Sequence, residues 1–93
     1  MPAELLAVWN TGVQYHLWHA LGMILVGLYA GAAHDAAWPR AAGALLLAGI
    51  VLFSGSLYAI ALGAPKWLGA VTPFGGLAFI LGWLALAAAV LRS

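Results

Sequence analysis

Not one cysteine occurs among the 93 residues of this chain. That excludes a disulfide framework, a thiolate metal site, a c-type haem attachment and S-palmitoylation, and it leaves no redox compartment to read. Charge is almost as scarce: two acids, Glu4 and Asp35, and three bases, Arg40, Lys66 and Arg92, make up 5% of the residues. A net charge of +1 spread over three separate bases forms neither a basic patch nor a polybasic lipid-binding run, so nucleic acid is not an expected partner. No carboxylate falls within an apolar run, which excludes a small exporter that alternates proton and substrate on an intramembrane acid. The first residues hold Glu4 and no Lys or Arg, the wrong n-region for a cleaved signal peptide. The first apolar stretch is therefore expected to persist in the mature protein.

What the chain does have is hydrocarbon. Apolar residues make up 67% of it, too many to cover a water-soluble surface. Three stretches carry no formal charge: Leu5 to His34, Ala41 to Pro65 and Trp67 to Leu91. Each reaches or exceeds the roughly 20 residues a helix needs to cross about 30 Å of hydrocarbon. The reading is an all-α integral membrane bundle, one transmembrane domain over residues 1–93 with spans at about 13–33, 41–62 and 73–92, surrounded by the lipid bilayer.

The segments between the spans read as interfacial. Met1 to Thr11 is a lead-in whose Leu5, Leu6, Val8 and Trp9 could lie at the headgroups. His34 to Arg40 closes the first span, with Trp38 and Arg40 as its anchors, and Lys66 with Trp67 anchors the opposite side. Gly63 followed by Pro65 stops the second span. Thr72 as N-cap and Pro73 at the first helical position start the third, leaving Trp67 to Val71 as a short interfacial segment. The alternative start is one helix from Trp67, kinked at Pro73. Three spans place Arg40 and Arg92 on one side against Lys66 on the other, which points to a cytoplasmic C-terminus.

Small residues predict how the helices associate. Gly75, Ala78, Gly82, Ala85 and Ala89 recur at spacings of three and four, drawing one stripe down the third span that another backbone can approach closely. Ala48, Gly55 and Ala59 make a shorter track in the second span, and Gly27 with Gly31 forms a GxxxG in the first.

Polar residues within the spans are where chemistry would sit, because hydrocarbon makes them costly. Thr11, Gln14, Tyr15, His16 and His19 cluster early in the first span. His16 and His19 share a helical face, and Gln14, His16 and His19 are candidate ligands for a metal, a haem or a quinone; the plainer reading is that the histidines bond to neighbouring helices and specify packing. Two imidazoles do not close a metal site, and His34 lies about 22 Å further along the helix. A bis-His haem would need a second subunit. Ser54 and Ser56 flank Gly55, yet no oxyanion hole accompanies them, so bonds to their own or a neighbouring helix explain them better than hydrolysis. Packing accounts for Tyr58 and Trp83.

Three ordered blocks also carry a family resemblance: Leu6 to Gly22 (LAVWNTGVQYHLWHALG), Ala48 to Tyr58 (AGIVLFSGSLY) and Trp67 to Gly76 (WLGAVTPFGG). They resemble the YgdD-like small membrane proteins, a domain of unknown function whose eukaryotic relative is transmembrane protein two-five-six. The resemblance covers nearly the whole chain and implies a helical integral membrane protein, in the bacterial inner membrane, with no established reaction or cofactor. It also implies a further transmembrane helix ahead of the stretch that begins here at Pro2, which would make a four-helix bundle. The functional expectation is a non-enzymatic packing, accessory or assembly component that joins itself or a membrane partner through small-residue faces. The alternative is a small-ligand-binding protein using Gln14, His16 and His19.

Overall fold

The computed structural model describes residues 2–32 and 37–92, with Arg92 described by its backbone alone. Helix α1 runs Ala3–Ala32 and α2 runs Ala37–Gly49; a π-helical stretch, Ile50–Ser54, joins α2 to α3, Gly55–Ala61. A 3₁₀ turn over Lys66–Ala70 then leads to α4, Thr72–Arg92. Among the described residues every regular element is helical. Two helices are long and apolar enough to cross a membrane, the 25 continuous residues Ala37–Ala61 and the 26 residues Lys66–Leu91. Helix α1 is 30 residues long, but Gln14, His16 and His19 dilute its apolarity.

Helix boundaries follow from local chemistry. Glu4 sits in the first turn of α1, where the exposed N–H groups favour negative charge, and Leu6 N–H donates to Pro2 at 2.9 Å. The chain is helical from Ala3, so the expected lead-in up to Thr11 is continuous with α1. Ala37 to Arg40 is the first turn of α2, not loop; Pro39 is tolerated there because the first N–H groups of a helix have no acceptor to lose. His34 and Asp35 lie outside the described residues.

The stop after α3 is a Schellman motif. Ala64 N–H donates to Ala59 at 2.9 Å and Gly63 N–H to Ile60 at 3.1 Å, with Gly63 at φ +107°, a conformation that favours glycine. At the start of α4 it is the Val71 carbonyl that accepts the first bonds, from Phe74 and Gly75. The Thr72 hydroxyl, expected to cap this helix, instead meets Ser56 Oγ at 2.6 Å.

Packing inverts the order of size found in water-soluble proteins. The buried positions include glycines and alanines, namely Gly12, Gly22, Gly49, Gly75, Gly82, Ala42, Ala85 and Ala89, with Val26, Leu46 and Phe79 between them. Large side chains point outward, Leu28 70% and Leu91 85% exposed. In water this surface would be an aggregation hazard; in a bilayer it is the face the solvent requires, and close backbone approach supplies the association. Helix α4 lies along α2, and α1 packs against α2 and α3, with His19 and Tyr29 reaching α4.

Candidate functional site

The π-helical stretch decides what α3 presents to α1. A π turn inserts a residue into the α repeat, so every later side chain is turned by about 100° from the direction a regular helix would give it. With that turn, Ser54 donates its hydroxyl to the Gly12 carbonyl at 2.9 Å and Tyr58 reaches His16, its hydroxyl 3.0 Å from Nδ1. Ser56 bonds back to the Phe53 carbonyl at 2.8 Å as well as to Thr72. A Cβ at Gly12 would sit 3.0 Å from the Tyr58 ring, so a bare backbone there lets the phenol pass. Trp9 closes over Tyr58 from the other side, ring centroids 4.6 Å apart.

The two histidines serve different surroundings. His19 is buried, 6% exposed, and packs on Phe79, with Trp83 5.7 Å and Tyr15 6.0 Å away between ring centroids. Its Nδ1 lies 2.7 Å from the Tyr15 carbonyl, which can only accept, so Nδ1 carries a proton and donates there. His16 is exposed beside Tyr58. Gln14 is exposed too, and its side chain makes no hydrogen bond among the described residues. The three candidate ligands therefore do not converge, and no group of three potential metal ligands forms among the described residues.

Val13, His16, Leu17, Ala20 and Tyr58 line an open surface groove of about 260 Å³. Its walls are apolar except for the hydrogen-bonded pair of His16 and Tyr58.

The expected small-residue stripe faces the chain's own second helix. A Cβ at Gly75 would fall on the Phe53 backbone, and one at Gly82 would stand 2.8 Å from Leu46 Cδ2. Ala85 and Ala89 are buried and Ala78 is half-buried. In contrast, Gly27 and Gly31 on α1 have nothing within 4 Å of an added Cβ. The Tyr29 hydroxyl donates to the Ala89 carbonyl at 3.0 Å, satisfying one of the acceptors left over at the end of α4. Neither this bond nor the π stretch was anticipated from the sequence; a tyrosine level with a helix end was the one available signal for the first.

Residues 1–76 match the family described as "Protein of unknown function (DUF423)". The chain belongs to the DUF423 family. Membership agrees with relatives of greater length: the UPF0382 membrane protein YwdK of Bacillus subtilis is 46% identical over 92 residues, covering 99% of this chain and 75% of that protein. A UPF0382 membrane protein of Staphylococcus epidermidis is 44% identical over 94% of this chain and 70% of its own length. One from Haemophilus influenzae is 38% identical over 94% and 68%. No solved structure matches. With relatives named as membrane proteins and two helices of spanning length, this DUF423 chain is a membrane protein of an uncharacterised family.

Proposed function

We propose that the chain is a non-enzymatic integral membrane component of the bacterial inner membrane, with three spans and a cytoplasmic C-terminus, that acts by packing against itself or a membrane partner. The observation that carries this reading is the outward face of α1. Gly27 and Gly31 are open there beside exposed Ile24, Leu25 and Leu28, so a second helix can approach at the glycines while the large side chains flank it. Helix α1 is also the least apolar of the long helices, and covering it in protein lowers the cost of its polar residues in lipid. The α4 stripe supports assembly from within, by holding α4 against α2. The resemblance to YgdD-like proteins fits the same reading, since it brings no reaction with it.

The test is cross-linking in native membranes. Gly27→Leu and Gly31→Leu are expected to reduce cross-linked species while leaving insertion and helix content unchanged. Unchanged cross-linking in both, or a stoichiometric metal or haem in the purified protein, would overturn the reading.

A further inference from the structure

We propose that the groove between α1 and α3 binds a lipid-soluble carbonyl compound of the quinone class, held by the imidazole N–H of His16 with Tyr58 as its positioning residue. This goes beyond the packing role and rests on different residues.

Proton bookkeeping identifies what the groove offers. If the Tyr58 phenol donates to His16 Nδ1, one polar hydrogen of this pair is left without a partner among the described residues, His16 Nε2–H. If the imidazole donates instead, both the phenolic hydrogen and the Nε2 lone pair are left. The first arrangement costs less in an apolar medium, and it leaves a single fixed donor beside Val13, Leu17 and Ala20. Such a donor recognises a carbonyl oxygen attached to an apolar body.

Depth selects the class. Helix α4 has 21 residues, about 31 Å, which matches a hydrocarbon core of about 30 Å and puts Thr72 at one boundary. Thr72 meets Ser56, and Ser54, two residues deeper, meets Gly12. His16 lies one further turn along α1, which puts its Cα about 9 Å inside the boundary at 1.5 Å per residue, with the imidazole leaning back from there to meet Tyr58. Phospholipid ester carbonyls sit at the boundary itself, above this position. A quinone ring is free to enter at that depth, and its two carbonyl oxygens match a lone N–H. His16 cannot reach water by extending, because imidazole has no flexible stem.

The test uses the full chain in nanodiscs titrated with decylubiquinone, in ester-linked and, separately, in ether-linked phospholipid. Saturable binding near one per chain is expected in both. His16→Phe should weaken it by about tenfold or more, which is the scale set by one buried donor. His16→Gln, which keeps a donor, should recover part of the loss, and Tyr58→Phe should fall between the two, while Leu84→Ala, at an exposed position of α4, should bind as the wild type does. If His16→Phe does not fold, the comparison of His16→Gln with Tyr58→Phe carries the test. Unsaturable partitioning in both lipids, or equal affinity across the His16 and Tyr58 variants, would overturn the proposal. So would saturation confined to ether-linked lipid, since the ester carbonyl would then be the occupant.

Discussion

The imidazole of His19 lies against the ring of Phe79, centroids 3.6 Å apart and planes within 15° of parallel, while His16, one turn earlier, bonds to Tyr58 on a different helix. Two histidines that share a helical face thus belong to two helix interfaces, α1 with α4 and α1 with α3. The first is an aromatic stack that needs its ring; the second is a hydrogen bond that needs its nitrogen.

His19→Ala should therefore cost more than His16→Ala, by about 1–3 kcal/mol, because it empties a buried aromatic site. Reversible unfolding in mixed micelles checks the order of the two.

Gly75→Leu and Gly82→Leu should destabilise the chain by about 1–3 kcal/mol or more, since a side chain at either meets the Phe53 backbone or Leu46. Gly27→Leu should leave monomer stability unchanged, having open space around it. Equal unfolding midpoints for all three would contradict the packing described.

Gly63→Ala should cost about 1 kcal/mol, because an L side chain is strained at φ +107°. Helix content should stay at the wild-type level, which circular dichroism would report, with a lowered unfolding midpoint.

The π stretch has a register test. A Cβ at Gly12 would lie 3.4 Å from Leu57 Cβ, close to the separation a disulfide bridges. Gly12→Cys with Leu57→Cys should cross-link on mild oxidation in a chain with no other thiol. Deleting Leu52 should keep the cross-link, because it removes the one extra residue and leaves a regular helix in which Leu57 points toward α1 as before. Loss of the disulfide would mean that the π stretch is not a one-residue insertion that sets the register.

Much of this architecture was legible because lipid writes simple rules. Charge-free runs marked the long helices, and Gly63 with Pro65 marked a stop that the structure resolves as a Schellman motif. The residues that escaped did so for one reason: their placement depends on neighbours distant in sequence. Nothing local in Ile-Val-Leu-Phe-Ser signals a π turn, which sits where Gly75 admits the Phe53 backbone and Gly49 admits the Phe79 ring. Thr72 had the composition of a cap, but Ser56 was there to take its hydroxyl. His16 and His19 looked like one site because periodicity reports a face and cannot say where one neighbouring helix ends and the next begins.

Helix α1 is 30 residues long, about 45 Å, and α4 is 21 residues, about 31 Å. The bond from Tyr29 to Ala89 holds them nearly flush at one end, so the whole surplus of α1 projects at the other, where Glu4 meets Lys66 at 3.5 Å. In the three-span arrangement proposed above, hydrophobic mismatch is thereby confined to one leaflet. A thicker membrane would draw Trp9 and Asn10 into the acyl chains on that side and leave the Tyr29 end where it was, so this protein would sense bilayer thickness through a single monolayer.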